Sequence, residues 1–116
     1  MTTKGELTIC DIWLHSGPIK TFDKFIEGAV NKAIATSNCK VMNKLKYNFN
    51  PYGVTAVYIL SASHLGYHTY PEHSYVSIDC YTCEGEGSSK RVVTNIINEL
   101  KKHIKKTKLR TIRRGV

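Results

Sequence analysis

Two segments with helical periodicity constrain the fold of this chain more than any other feature of its sequence. Apolar residues recur at spacings of three and four over residues 22–34, with Thr21 before them as the candidate N-cap. A second stripe covers residues 92–104, and Ser88 or Ser89 is its candidate N-cap. Because each stripe occupies one side of its helix, each helix needs an apolar surface to pack against.

Several of the remaining segments alternate apolar and polar residues, which is typical of strands that bury one face. The predicted strands are 6–14, 40–48, 54–61, 64–69, 75–83 and 107–113. Alternation of this kind suits an antiparallel sheet with one covered face. We therefore expect an α+β fold, a two-layer α/β sandwich in which two helices cover one face of the sheet. Residues 1–116 are expected to form a single domain.

The length of the chain limits the kind of site it can form. A domain of this size buries only about two-thirds of the surface that its unfolded chain exposes, so a deep cleft would compete with the core for side chains. We therefore expect any active site to lie at a subunit interface, in a homodimer or a higher homo-oligomer. With no secretory signal and no apolar run near the roughly 20 residues that span a bilayer, we expect a soluble cytoplasmic protein without a membrane partner.

The net charge of +8 comes from one end of the chain. Residues 90–116 hold ten Lys and Arg against a single acid, Glu99, whereas residues 1–89 are close to neutral. A basic run of this kind can bind phosphates, but it is more often the solvated face of a helix and a strand. Because the run contains no aromatic residue to stack on a base, a nucleic-acid partner is the least favoured interpretation.

Chemically active side chains are concentrated between Ser61 and Cys83. One interpretation is a zinc site at Cys80-x-x-Cys83, although the two thiols of an extended segment would point to opposite faces. A second is a thiol redox motif, although such a motif normally opens a helix and this one ends a strand. The third is covalent catalysis by a serine, a histidine and a cysteine. With no secretory signal, we expect the four cysteines to be free thiols.

Four blocks in this part of the chain support the third interpretation. They are Pro51-Tyr52-Gly53-Val54, Ser61-Ala62-Ser63-His64-Leu65, His68-Thr69-Tyr70-Pro71-Glu72 and Asp79-Cys80-Tyr81-Thr82-Cys83. In their order and spacing, these blocks resemble the prokaryotic S-adenosylmethionine decarboxylase proenzymes, a pyruvoyl-dependent family of polyamine and spermidine biosynthesis. The resemblance extends over roughly residues 5–115.

The resemblance implies a self-processing reaction. Ser63 attacks the carbonyl of Ala62, an ester replaces the amide, and β-elimination then cuts the chain into a β chain, 1–62, and an α chain, 63–116. The pyruvoyl group left at Ser63 is the implied cofactor, which forms a Schiff base with the substrate amine and accepts electrons as CO2 leaves. Neither an external cofactor nor a metal is expected.

The same resemblance assigns roles to other residues. His68 is the implied base of the processing reaction, because an imidazole titrates near neutrality. Thr55 stands where the family has a serine that assists processing, and Cys83 stands where it has the proton donor to the substrate α-carbon. The implied substrate-binding residues are Phe49 for adenine, Glu72 for the ribose hydroxyls, and Tyr70.

Two functions besides the decarboxylation of S-adenosylmethionine stay open. Sister members of the family use the same scaffold to decarboxylate arginine or ornithine. The chain also departs from the family's pattern at two positions, with Ala62 in place of Glu and Thr55 in place of Ser. Threonine keeps the hydroxyl but restricts its rotamers. An uncleaved, inactive homologue that acts as a binding subunit is therefore the other alternative.

Overall fold

The computed structural model describes residues 4–85 and 87–115, so the ends of the predicted domain, 1–3 and 116, lie outside the described residues. The elements in chain order are β1 (Gly5–Leu14), α1 (Ile19–Thr36), β2 (Val41–Asn48), β3 (Val54–Leu60), β4 (Ser63–Tyr70), β5 (Tyr75–Thr82), α2 (Ser88–Leu100) and β6 (Ile104–Arg114). Single turns of 3-10 helix, Pro71–His73 and Lys101–His103, precede β5 and β6.

All six strands of the described residues belong to one sheet, in the order β2-β3-β4-β5-β1-β6. Every neighbouring pair is antiparallel. The helices α1 and α2 pack against each other over one face of this sheet. The predicted two-layer α+β sandwich is therefore confirmed, and five of the six predicted strands agree with the structure to within one residue at each end.

The core lies between the sheet and the two helices. Alternate residues of β1 such as Ile12 are buried, while their neighbours are exposed or half-buried. The predicted helical stripes supply the other side of the core, with Ile26 and Val30 from α1 and Val93 and Ile96 from α2, all fully buried. Burying a side chain of this size stabilises the fold by about 1.5–3 kcal/mol, so the two stripes hold the helices on the sheet.

The prediction of Thr21 as the N-cap of α1 is wrong. The helix begins at Ile19, and its N-cap is Pro18, which has an extended backbone at φ −63° and ψ 126°. Thr21 lies in the first turn, where its hydroxyl donates to the Pro18 carbonyl at 3.4 Å. The fixed φ of proline suits the start of a helix, so the helix begins before its apolar stripe does.

The predicted caps of α2 are also wrong. The N-cap is Gly87, and Ser88 and Ser89 are the first two helical residues. The Ser88 hydroxyl donates to the Gly85 carbonyl at 2.8 Å, and the Ser89 hydroxyl donates to the Glu6 carboxylate at 2.7 Å. The N–H groups of Gly87 and Ser89 donate instead to the carboxylate of Glu6 in β1. A side chain from a distant strand therefore replaces the local cap.

The C-terminal end of α2 differs from the sequence prediction as well. The helix ends at Leu100, and Ile104 is the first residue of β6 rather than part of the helical stripe. The His15 N–H donates to the His103 carbonyl at 2.9 Å, which pins the turn between α2 and β6 against the end of β1. β6 therefore starts three residues before the predicted strand 107–113.

The second face of the sheet, which we call the open face, is covered by neither helix. It exposes several large apolar side chains, which are Ile9, Leu45, Tyr47, Val57, Ile59, Tyr70 and Ile112. Neighbouring strands bring some of them together, since Leu45 of β2 pairs with Val57 of β3. Neither described helix has the length and hydropathy that a membrane span requires.

Candidate active site

A cavity of about 380 Å³ lies at one end of the β3–β4 hairpin, where β3 begins and β4 ends. The loop between β2 and β3 closes one side of this cavity. Five of the predicted site residues line it: Phe49, Thr55, His68, Tyr70 and Glu72. We call these residues and their cavity the pocket end.

Thr55 and His68 lie opposite each other on β3 and β4. The Thr55 hydroxyl and His68 Nδ1 are 2.9 Å apart, which is a hydrogen bond. Both side chains are half-buried and face the open side of the sheet. In the tautomer in which Nδ1 donates to the hydroxyl, Nε2 is the ring nitrogen that can accept a proton from another molecule. Thr55 therefore makes the contact to His68 that a serine hydroxyl at the same position could make.

The aromatic ring at the mouth of the cavity belongs to Phe49. It stacks on Tyr47, with ring centroids 4.7 Å apart and planes 15° from parallel. Sequence reasoning missed Tyr47, although its spacing of two from Phe49 is the signal for side chains on the same face of a strand. Phe49 lines the cavity, and Tyr47 supports its ring from outside the cavity lining.

A row of stacked rings borders the same end of the open face. Tyr70 stacks on Tyr75 with centroids 5.2 Å apart, and Tyr75 stacks on Trp13 at the same distance. The Tyr75 hydroxyl donates to Asp11. Glu72 lies in the 3-10 turn after Tyr70, with its carboxylate exposed at the rim of the cavity. The cavity lining therefore combines the ring of Tyr70 with the carboxylate of Glu72.

The other end of the hairpin, which we call the turn end, holds Ala62, Ser63 and Cys83. Ser63 is the first residue of β4, directly after the tight turn from β3. Its hydroxyl is buried and has no hydrogen-bond partner among the described residues. The Cys83 N–H donates to the Ala62 carbonyl oxygen at 3.3 Å. The serine oxygen, the carbonyl beside it and the cysteine therefore share one small region.

The structure does not bring the two ends together within one chain. Ser63 and His68 are five residues apart in β4, a distance of about 16 Å in an extended strand. An odd offset also places their side chains on opposite faces of the strand. One chain therefore contains two separate groups of predicted site residues.

Cys80 and Cys83 occupy different environments. Cys80 is fully buried in the core, and burial, with smaller contributions from nearby acidic groups, raises its pKa to about 12. Cys83 is exposed beyond the end of β5. A thiol with so high a pKa is a poor thiolate ligand or nucleophile. Within residues 4–85 and 87–115, no three His, Cys, Asp or Glu side chains are grouped as a metal site requires.

Known proteins resemble the chain along nearly all of its length. Residues 7–115 match the model of a family described as S-adenosylmethionine decarboxylase. The S-adenosylmethionine decarboxylase proenzyme 2 of Bacillus cereus is 38% identical over 108 residues, 90% of this chain and 88% of that protein. The protein of the same name from Bacillus anthracis is 35% identical over 100 residues, 86% of this chain and 81% of its own.

A solved structure agrees with these sequence matches. The adenosylmethionine decarboxylase of Aquifex aeolicus has a TM-score of 0.84 and 25% identity, over 100% of this chain and 94% of its own. Fold and sequence together define the class, which is that of decarboxylases made as proenzymes. The chain belongs to the S-adenosylmethionine decarboxylase family, and the resemblance seen in its four sequence blocks is confirmed.

Proposed function

We propose that this chain is a self-processing, pyruvoyl-dependent decarboxylase that acts on S-adenosylmethionine in polyamine biosynthesis. Besides family membership, one observation carries the proposal, and that is the environment of Ser63. Its hydroxyl makes no hydrogen bond to the described residues, so no bond has to break before its oxygen attacks the Ala62 carbonyl carbon. Buried polar atoms without a partner are rare in folded proteins. This one fits a side chain that is consumed in forming the pyruvoyl group.

The proposed cut between Ala62 and Ser63 begins with an exchange of bonds. Ser63 Oγ bonds to the Ala62 carbonyl carbon, the C–N bond breaks, and the hydroxyl proton passes to the freed amine, which gives an ester. Negative charge develops on the Ala62 oxygen, and the Cys83 N–H that already donates to this oxygen stabilises it. Removal of the Ser63 α-proton then breaks the Cβ–Oγ bond, and the Ala62 carboxylate leaves.

Hydrolysis of the dehydrated residue at position 63 releases ammonia and leaves the pyruvoyl group. When present, this group supplies an electron sink for decarboxylation. Cys83 lies at the same end of the hairpin, and its exposed side chain is the proposed donor of the proton that replaces CO2. The turn end thus supplies the reacting groups.

We assign removal of the Ser63 α-proton to His68 of a second copy of the chain, because His68 of the same chain lies too far away. The exposed apolar residues of the open face support pairing of two copies. Leu45 is 77% exposed and Ile59 is 52% exposed, and packing two open faces together would remove such side chains from water. In a two-fold homodimer, the pocket end of each copy would meet the turn end of the other.

The pocket end favours an adenosyl substrate over a basic amino acid. Phe49, backed by Tyr47, offers a stacking surface for adenine. The exposed carboxylate of Glu72 can accept both ribose hydroxyls, and the ring of Tyr70 attracts a sulfonium cation through its face. Arginine and ornithine are the competing substrates, because Glu72 also attracts a cationic side chain.

Mass spectrometry of the purified protein tests self-processing. We expect two chains, 1–62 and 63–116, the second with a ketone at its N-terminus that reacts with hydroxylamine. Ser63→Ala is expected to remain one chain. A wild-type protein that stays a single species of 13.1 kDa during long incubation would contradict self-processing and favour an uncleaved binding subunit.

Release of CO2 by the cleaved protein tests the substrate assignment. We expect turnover of S-adenosylmethionine and none of L-arginine or L-ornithine, because only the first has a base to stack on Phe49. Turnover of either amino acid without turnover of S-adenosylmethionine would overturn the substrate assignment and leave self-processing intact.

A further inference from the structure

The loop that carries Phe49 is tied to α1 by one carboxylate. The Gly53 N–H donates to Asp23 Oδ2 at 2.9 Å, and the Phe49 N–H donates to the Gly53 carbonyl at 2.8 Å, which closes residues 49–53 into a turn. Gly53 has a φ of +102°, a conformation that favours glycine. Asp23 therefore holds the loop at the residue that sets its turn.

The second oxygen of Asp23 reaches the adjoining strands through Thr69. The Thr69 hydroxyl donates to Asp23 Oδ1 at 2.5 Å and accepts from the Val54 N–H at 2.8 Å. Thr69 is buried and follows His68 in β4. One side chain on α1 thus connects the loop, the first residue of β3 and the end of β4.

Side-chain packing restrains this loop only weakly. Cavities of about 380 and 290 Å³ flank it, and Phe49, Tyr52 and Gly53 line both of them. Phe49 is 52% exposed and stacks on Tyr47, which is itself 58% exposed. Hydrogen bonds to a carboxylate are about twice as strong as neutral ones. The position of the Phe49 ring therefore depends on the bonds that Asp23 makes.

We propose that Asp23 is a positioning residue, which sets the place of Phe49 in the substrate pocket and thereby the affinity for the adenosyl group. The inference rests on the proposed function, because that function assigns the pocket to S-adenosylmethionine. Asp23 lies on the helix side of the hairpin and touches neither Ser63 nor His68 through any of the bonds described above. Its loss is therefore expected to weaken substrate binding and to spare the cut at Ser63.

Steady-state kinetics of Asp23→Asn tests this role. An amide keeps the shape of the side chain but cannot accept from both donors, so we expect KM for S-adenosylmethionine to rise about tenfold with little change in kcat. Mass spectrometry should show the same extent of cleavage, and the Gly53 amide should exchange its proton faster. Glu27→Gln is the matched control, because Glu27 lies one turn along α1 and accepts from Lys44 of β2 at 2.8 Å.

Thr69 supplies an independent pair of variants. Thr69→Val removes the hydroxyl without changing the size of the side chain and is expected to raise KM as Asp23→Asn does, whereas Thr69→Ser restores both bonds and should return KM toward the wild-type value. If the wild-type enzyme is active and KM is unchanged in both Asp23→Asn and Thr69→Val, the role of Asp23 is overturned while the proposed function stands. A wild-type protein that does not decarboxylate S-adenosylmethionine overturns the proposed function, and the inference with it.

Discussion

The two ends of the β3–β4 hairpin differ in how their polar groups are satisfied. At the turn end, the Ser63 hydroxyl is buried without a hydrogen-bond partner among the described residues. At the pocket end, Thr55 bonds to His68 and Thr69 bonds to Asp23. Leaving a buried hydroxyl unpaired costs about 1–3 kcal/mol. Under the proposed function, the turn end keeps its reacting hydroxyl free of hydrogen bonds, the pocket end holds its binding groups in place with them, and a complete site needs both ends.

The largest effect is expected from His68→Ala, which removes the proposed base from the pocket end. A positioned general base contributes about 10²- to 10⁴-fold, so cleavage should slow by at least about 100-fold. A time course of intact mass after purification measures the rate. His15→Ala is the matched control, because His15 is exposed and belongs to neither end. If His68→Ala were cleaved at the wild-type rate, the pocket end would have no part in the processing reaction.

A smaller loss is expected from Thr55→Val, which keeps the shape of the side chain and removes its hydrogen bond to His68. The freed imidazole loses its fixed orientation, and we expect cleavage to slow by about tenfold, the effect of one hydrogen bond of ordinary strength. The same time course applies. Thr55→Ser keeps the hydroxyl and should continue to process; equal rates for the valine and serine variants would show that the contact has no part in the reaction.

The smallest of these effects concerns stability at the turn end. Glu6 is 3% exposed and accepts hydrogen bonds from Gly87 N–H at 2.9 Å and from the Ser89 hydroxyl at 2.7 Å. These bonds fix the start of α2. Glu6→Gln removes the charged acceptor and should lower the free energy of unfolding by about 1–3 kcal/mol. Urea denaturation measures it in the Ser63→Ala background, where the chain stays in one piece.

The Glu6 carboxylate also predicts a pH dependence. Burial raises the pKa of Glu6, but hydrogen bonds from Gly87, Ser89 and Lys90 outweigh burial and hold the pKa below its ordinary value. A carboxyl whose pKa falls on folding stabilises the protein above its unfolded pKa and loses that contribution as the pH falls through the folded pKa. The stability lost in Glu6→Gln should therefore be full at pH 7 and shrink in acid. If the difference in the free energy of unfolding between the wild type and Glu6→Gln stayed the same from pH 7 into acid, the stabilising role of the Glu6 carboxylate would be contradicted.

The sequence predicts most of the fold because each strand buries one face. Alternation in β1 and the stripes around Ile26 and Val93 are local patterns, and they locate the sheet and the helices. The caps could not be found in this way. Glu6 and Gly87 are 81 residues apart, and Asp23 and Thr69 are 46 apart. The bonds that fix the start of α2 and the loop before β3 therefore depend on how the helices pack against the sheet, which periodicity does not report.

The sequence proposes the members of the candidate site one by one, but it does not predict their arrangement. Sequence blocks single out Ser63 and His68 as candidates, and the odd offset between them in one strand already indicates opposite faces. The contact between Thr55 and His68 depends on the register of β3 against β4, which no single block contains. Tyr47 was missed because the resemblance assigned no role to it, although it lies two residues before Phe49.

Mixing two inactive variants tests most directly whether each site takes its turn end and its pocket end from different copies. Ser63→Ala and His68→Ala are each expected to stay uncleaved when expressed alone. When they are coexpressed and pair at random, about half of the His68→Ala chains should meet a partner with an intact His68 and be cut, because a two-fold dimer has two equivalent sites. Intact mass distinguishes the two chains. Cleavage confined to the His68→Ala chain is the predicted result, and a mixture in which neither chain is cut would contradict the shared site.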